Sequence, residues 1–235
     1  MAQKKIGIMG GTFDPVHIGH LILGEAAYQQ FGLNSVWFMP AGNPPHKQNR
    51  TGRAGDEQRV EMVRRAISTN PHFALSLAEM NEDGYTYTYR TLENLNRVHP
   101  DTEYYFIIGA DSLFDLDKWR EPQRILKACH MVVATRNQIP EEMFQQILQK
   151  RREQFQGDFF RLDTPNLDIS SKHLRDMISR GESVKYYIPD SVIAYIQENR
   201  LYKSTVNQTE EKRRKSDNGN TLEEDRRETE ERTGC

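Results

Sequence analysis

Two histidines, His17 and His20, stand three residues apart at the start of a predicted helix, directly after a glycine-rich turn. Residues at this spacing project from one face of the first helical turn. Three interpretations fit: two buried histidines with satisfied hydrogen bonds, part of a metal site, or two donors to a phosphate in a phosphoryl or nucleotidyl transition state. A metal site lacks a third ligand in the sequence. The preceding segment Gly10-Gly11-Thr12 favours the phosphate donors.

The turn before the histidines follows the first predicted strand, and open α/β sheets bind ligands outside the carboxyl ends of their strands. Gly10 and Gly11 let backbone N–H groups approach a ligand closely, and the helix N-terminus after them favours anions. The pattern is neither G-x-G-x-x-G nor the Walker G-x-x-x-x-G-K-[ST]. Ordinary dinucleotide-binding and P-loop sites are therefore excluded.

The elements that must position this turn alternate between short β-rich runs and helical stretches. Strands are predicted at 5–9, 35–40, 73–78, 104–108, 131–134 and 159–162. Helices are predicted at 17–31, 56–69, 88–98, 121–128, 140–155, 170–180 and 189–199. This alternation predicts an α/β fold with a doubly wound, mostly parallel sheet, helices on both faces and a helical C-terminal end.

Length and composition bound the class of protein. The chain has 235 residues, and 32 Lys+Arg against 34 Asp+Glu give a net charge of −2, which argues against nucleic-acid or membrane partners. Two cysteines are too few for a disulfide framework, and no signal-peptide core or membrane span is visible. We expect a cytoplasmic protein with one domain over 1–202 and a charged, disordered tail over 203–235.

Residues 10–20, GGTFDPVHIGH, resemble the G-x-F-D-P-x-H-x-G-H signature of the nucleotidyltransferase superfamily. Further blocks look like those of the bacterial nicotinate-nucleotide adenylyltransferases: PAGNPPHK at 40–47, Tyr87-Thr88, IIGADS at 107–112 with Trp119, and Ile169-Ser170-Ser171 with Arg175. The blocks occur in family order, and the resemblance covers about Lys4 to Tyr202. It implies the Rossmann-like fold of nucleotidyltransferases.

The resemblance implies a reaction in which nicotinate mononucleotide attacks the α-phosphorus of ATP, giving nicotinate adenine dinucleotide and pyrophosphate for NAD biosynthesis. Mg²⁺ would arrive with the polyphosphate of ATP rather than in a protein cage. Two alternatives stay open at this point. One is transfer to another acceptor, either nicotinamide mononucleotide or phosphopantetheine, and the other is a non-catalytic nucleotide sensor. Homo-oligomerisation is also left open.

Site residues follow from the resemblance by motif position. The residues expected at the reacting phosphates are His17, His20, Lys47 and Arg175. Those expected to bind ATP are Gly10, Gly11, Thr12, Phe13, Gly109, Asp111, Ser170 and Ser171. Those expected to bind the nicotinate nucleotide are Thr88, Trp119 and Lys47. No protein ligand to a metal is implied.

Several of these residues have ordinary structural interpretations beside the functional ones. Ser171 would serve as a helix N-cap, Asp111 would cap the next helix, and Trp119 would belong to the core. Two positions depart from the family pattern: Lys172 stands where the family commonly has Thr, and Arg90 stands where an acidic residue is frequent. Lys172 changes the side chain available for contacts to phosphate, and Arg90 changes the expected geometry of the substrate loop.

Overall fold

The computed structural model describes residues 3–43, 52–80, 84–134, 140–165 and 167–203. The strands within these ranges are β1 (Lys4–Gly11), β2 (Ser35–Pro40), β3 (Phe73–Leu75), β4 (Thr102–Gly109), β5 (His130–Ala134) and β6 (Phe159–Leu162). The helices are α1 (Ile18–Phe31), α2 (Asp56–Ile67), α3 (Thr88–Val98), α4 (Ala110–Phe114), α5 (Pro122–Ala128), α6 (Glu141–Phe155), α7 (Ser171–Ser179) and α8 (Asp190–Glu198). A 3₁₀ turn, Leu116–Lys118, follows α4.

The six strands form one parallel sheet in the order β3-β2-β1-β4-β5-β6. This order confirms the predicted doubly wound α/β fold, because the chain runs outward from β1 in one direction and from β4 in the other. The strands β1 and β4 are neighbours, with Met9 opposite Ile107. The loops that follow these two strands therefore flank the crevice where a doubly wound sheet binds its ligands.

Side chains that alternate along β4 build a separate core on each face of the sheet. Tyr104, Phe106 and Ile108 pack with apolar residues of α3, α4, α5 and α6. Tyr105 and Ile107 point to the opposite face and pack with α1, α2, α7 and α8. Because both faces are covered, the strand is apolar in both registers, as expected for a buried parallel sheet. The prediction of helices on both faces is confirmed.

The sequence-based boundaries differ from the structure mainly at short elements. The third strand ends at Leu75 rather than at residue 78, and the short helix α4 was not predicted. That helix has five residues and directly follows a continuous apolar strand, with no proline or polar break to mark its start. Residues 204–235, and with them nearly all of the predicted tail, lie outside the described residues. None of the helices in the described ranges is long and apolar enough to span a membrane.

Candidate active site

The two histidines lie together at the carboxyl end of β1, where residues 12–17, here called the signature loop, lead into α1. His17 is the buried N-cap of α1 and His20 is its third residue. The ring centroids are 3.7 Å apart. The backbone N–H of His17 donates to Nδ1 of His20 at 3.2 Å. Since an accepting ring nitrogen carries no proton, the proton of a neutral His20 ring lies on Nε2, which is then a hydrogen-bond donor.

Aromatic packing holds the His20 ring from the side of the core. Phe13 has a positive φ of 51°, an unusual backbone conformation for a residue other than glycine. Its ring is buried and meets His20 edge-on, with centroids 5.0 Å apart. A Cβ atom at Gly11 would lie 3.2 Å from this ring, and one at Gly10 would lie 3.1 Å from the Phe106 ring. The two glycines therefore also make room for core aromatics beside the loop.

A buried arginine that the sequence analysis missed joins the loops after β1 and β2. The Arg59 side chain, on α2, donates to the carbonyl of Thr12 and to that of Ala41, each at 2.8 Å. It also pairs with Asp56 at 2.6 Å. Arg59 precedes the buried residues Met62 and Val63 by three and four positions, so helical spacing places it on the apolar face of α2. An arginine at a core-facing position is the signal that could have identified it.

Elements from the C-terminal part of the chain fix the middle of the signature loop. Ser171 donates from Oγ to the carbonyl of Pro15 at 2.9 Å, and Arg175 donates from Nη1 to the carbonyl of Asp14 at 2.5 Å. The N-cap of α7 is Ser170, whose side chain accepts from the N–H of His173. The interpretation of Ser171 as the N-cap is therefore wrong, because its hydroxyl is directed at the loop and Ser171 is the first residue inside the helix.

The carboxylate of Asp14 is buried beneath the loop. Its Oδ1 accepts from the N–H of Ala54 at 3.1 Å and from the hydroxyl of Tyr202 at 2.6 Å. Its Oδ2 lies 3.4 Å from Nε of Arg53 and 3.7 Å from Nη1 of Arg175. Burial, and then the Asp14 charge, raise the pKa of the Tyr202 hydroxyl, so this phenol stays protonated and donates to Asp14.

On the other side of the crevice, β4 ends at Gly109, which is the N-cap of α4. Asp111 is the second residue of that helix and is exposed, so the interpretation of Asp111 as a cap is wrong. Trp119 is half-buried and meets the Phe106 ring edge-on, with centroids 6.3 Å apart. Phe106 is also the ring for which Gly10 leaves room, and it therefore connects the end of β1 to Trp119.

The N-terminus of α3 lies beside the loop after β2. The N–H of Thr86 donates to the carbonyl of Asn43 at 3.1 Å. Thr88 is the first residue of α3, where backbone N–H groups lack partners within the helix and the helix dipole favours an anion. The guanidinium groups of Arg90 and Arg120 lie 5.4 and 5.9 Å from the centroid of the Tyr87 ring. This end of α3 is consequently rich in positive charge.

Two lysines discussed from the sequence, Lys47 and Lys172, remain to be located. Lys47, together with its neighbour His46, lies outside the described residues. Lys172 is an exposed residue in the first turn of α7, one position after Ser171. Among the described residues, no cluster of three or more His, Cys, Asp or Glu side chains is arranged to hold a metal ion.

Comparisons with known proteins agree with this architecture. The sequence matches the cytidylyltransferase-like family over residues 8–177. It is 40% identical over 200 residues to the probable nicotinate-nucleotide adenylyltransferase of Lachnoclostridium phytofermentans, which covers 85% of this chain and 100% of that one. It is 42% identical, over 85% of this chain and 95% of the relative, to the protein of the same name from Synechococcus sp. strain JA-3-3Ab.

A solved structure shares the fold at lower identity. The nicotinic acid mononucleotide adenylyltransferase of Plasmodium falciparum, complexed with NaAD, superimposes with a TM-score of 0.71 at 23% identity, over 85% of this chain and 97% of that one. The family match spans more than half of the sequence, and the bacterial relatives align over nearly their full lengths. The chain belongs to the cytidylyltransferase-like family and, within it, to the nicotinate-nucleotide adenylyltransferases.

Proposed function

We propose that the protein transfers the adenylyl group of ATP to nicotinate mononucleotide, forming nicotinate adenine dinucleotide and pyrophosphate in NAD biosynthesis. The observation that carries this proposal is 40% identity over 200 residues to relatives named for this activity. The adjacent histidine pair at the carboxyl end of β1 supports it, because donors at this place suit a phosphate ligand.

The reaction needs no covalent intermediate with the protein. A phosphate oxygen of nicotinate mononucleotide forms a bond to the α-phosphorus of ATP, and the bond between that phosphorus and the bridging α–β oxygen breaks. The electron pair of the broken bond leaves with pyrophosphate. Negative charge therefore moves onto the phosphate oxygens in the transition state, and catalysis consists of positioning the reactants and stabilising this charge.

The phosphate site is assigned to His17, His20, Arg175 and Lys47. Nε2 of His20 is the donor to the transferred phosphate, since Nδ1 is occupied by the N–H of His17. The Arg175 guanidinium lies at the loop through its bond to the Asp14 carbonyl and supplies positive charge for the β- and γ-phosphates. Lys47 keeps its predicted role as a further cation on these phosphates and on the incoming nucleotide.

The nucleosides occupy the two sides of the crevice. ATP is assigned to the segment Gly10–Phe13, to Gly109 and Asp111 at the end of β4, and to Ser170 and Ser171 at the start of α7. The pyridine ring of the nicotinate nucleotide is assigned to Trp119, and its carboxylate to the backbone N–H at Thr88, where the first turn of α3 favours an anion.

Mg²⁺ is proposed to enter as part of the substrate, bound to the polyphosphate of ATP. Polyphosphates commonly bring this ion with them while it keeps several water ligands, so a dedicated protein cage is not required. The cytoplasm stays the expected compartment, supported by the low cysteine count.

The test is pyrophosphate release with Mg·ATP and, in parallel, nicotinate mononucleotide, nicotinamide mononucleotide or phosphopantetheine. The proposal expects the nicotinate nucleotide to be strongly preferred. Preference for either of the other acceptors would move the assignment to a different adenylyltransferase. Binding of ATP without release in any of the three reactions would instead favour a nucleotide sensor.

A further inference from the structure

The hydroxyl of Tyr202 contacts a residue at the other end of the chain. Tyr202 follows α8 and has a positive φ of 64°, and its oxygen lies 2.6 Å from Oδ1 of Asp14 in the signature loop. The phenol is part-buried and lies 3.9 Å from the sulfur of Met62 on α2. The contact thus ties the last described turn of the chain to the loop that carries the histidines.

The two oxygens of the Asp14 carboxylate have different surroundings. Oδ1 accepts two hydrogen bonds, from Tyr202 and from the N–H of Ala54. Oδ2 is buried and faces two guanidinium groups, those of Arg53 and Arg175, at 3.4 and 3.7 Å. Two donors on one oxygen fix the rotation of the carboxylate about its Cβ–Cγ bond, so they also fix the position of the charge that these arginines meet.

Arg175 also links the Asp14 carboxylate to the phosphate site. Arg175 donates to the carbonyl of Asp14 at 2.5 Å, and the next carbonyl in the loop, that of Pro15, accepts from Ser171. His17 follows two residues later and carries the amide that holds His20. A carboxylate that turns away from its present orientation would draw Arg53 and Arg175 with it, because buried charges interact strongly at these distances.

We propose that Tyr202 is a positioning residue for the ATP-phosphate site and acts through Asp14, whose carboxylate it orients toward Arg53 and Arg175. The inference rests on the proposed function for the identity of the ligand. Tyr202 does not touch substrate in this account. It restricts the geometry of the groups that do, and its contribution falls on the ATP side of the crevice rather than at Thr88 and Trp119.

The test compares Tyr202→Phe with Tyr104→Phe in the full-length protein. Both changes remove one phenolic oxygen and keep the ring. Tyr104 is buried in the core between β4 and α3 and donates to the Leu95 carbonyl at 3.5 Å, away from the signature loop. Binding of α,β-methylene ATP with Mg²⁺ is measured by calorimetry, and the KM for nicotinate mononucleotide is measured by turnover.

For Tyr202→Phe we expect the dissociation constant of the ATP analogue to rise about tenfold, because binding must then order a carboxylate that Tyr202 no longer holds in place. We expect the KM for nicotinate mononucleotide to stay within twofold, and Tyr104→Phe to leave both quantities unchanged. If the substitution only reduced the fraction of folded protein, the apparent kcat would fall while the affinity for the analogue stayed the same. The affinity therefore distinguishes a positioning role of Tyr202 from an effect on stability.

Unchanged analogue affinity in folded Tyr202→Phe would overturn the inference, and so would an equal weakening of both substrates. If Tyr202→Phe fails to fold, Arg53→Gln provides the second test. The Arg53 side chain is partly exposed and meets Oδ2 of Asp14, the carboxylate oxygen that Tyr202 does not contact. The affinity of the Arg53→Gln protein for the ATP analogue must also fall, and an unchanged affinity would contradict the inference. If the wild-type protein binds the analogue but transfers nothing, the proposed function fails while these binding comparisons still decide the role of Tyr202.

Discussion

The backbone N–H of His17 donates to Nδ1 of His20 at 3.2 Å, and this contact leaves Nε2 as the nitrogen of the neutral ring that carries the proton. The two residues form the N-cap and the third position of α1, so the start of the helix itself orients the imidazole. A side chain held in this way stabilises developing charge without reorganising during the reaction.

Replacing His20 with alanine removes this donor. We expect kcat to fall by about 10²–10³, the usual cost of losing one donor to transition-state charge. The far-ultraviolet circular dichroism should stay unchanged, since the His20 ring is only half-buried. The measurement is steady-state pyrophosphate release at saturating substrates.

The control for that variant is His99→Ala, because His99 is an exposed histidine after α3 that meets Trp37 rather than the signature loop. His99→Ala should turn over at the wild-type rate. A His20→Ala protein that also keeps the wild-type kcat would eliminate the phosphate-donor role.

Replacing Arg59 with methionine should loosen the loops after β1 and β2 together. The variant leaves the carbonyls of Thr12 and Ala41 without their buried donor, at a cost of about 2–5 kcal/mol in the free energy of unfolding. We expect kcat to fall as well, because Thr12 belongs to the signature loop. Urea unfolding and turnover at a temperature well below the unfolding transition measure the two effects.

Arg64→Met is the matched change on the same helix. Arg64 is exposed and, within the described residues, pairs with Glu61 three residues earlier, so its loss should cost less than about 1 kcal/mol. If the two variants unfold at the same urea concentration, the buried role of Arg59 is refuted.

Replacing Gly42 with alanine should destabilise the contact between the loop after β2 and the segment before α3. A Cβ atom at Gly42 would lie 1.9 Å from the carbonyl oxygen of Glu79, which is backbone and must shift. We expect a loss of at least about 1–3 kcal/mol. Gly55→Ala is the comparison, since among the described residues its Cβ would meet the end of the Gln58 side chain at 3.7 Å and no backbone atom. Equal unfolding free energies of the two variants would contradict the close approach at Gly42.

The sequence predicted the architecture well because its strongest signals are local. Each strand of the sheet is a short apolar run, and the signature loop is a set of contiguous residues whose spacing is visible in the chain. The contacts of Arg59 and Tyr202 could not be found in this way. Helical spacing places Arg59 on the apolar face of α2, but only the folded chain shows that it donates to Thr12 and Ala41. Tyr202 meets Asp14 across 188 positions.

Local reasoning also failed where one serine had two plausible uses. A serine at the start of a helix is expected to cap it, yet Ser170 performs this role and Ser171 donates to Pro15 in the signature loop. The difference is set by tertiary packing, since α7 lies against that loop. The same packing puts Arg175 within reach of Asp14.

Cys129 provides a test of the core beneath the sheet. Burial raises the pKa of its thiol from 9.0 to about 12, which lowers the thiolate fraction at pH 8 about a thousandfold relative to the unfolded chain. We expect Cys129 to resist iodoacetamide at pH 8 in the native protein and to react after unfolding in urea, as read by peptide mass mapping. Rapid alkylation in the native state would show that the thiol is accessible and ionised.

The central claim is that the α-phosphoryl group of ATP, with its adenosine, moves to nicotinate mononucleotide. The most direct measurement follows two radiolabels in parallel reactions, one with [α-³²P]ATP and one with [γ-³²P]ATP, each with nicotinate mononucleotide and the wild-type protein. The account predicts that the α label appears in the dinucleotide and the γ label only in pyrophosphate. Transfer of the γ label to the acceptor, or no transfer of either label, would contradict it.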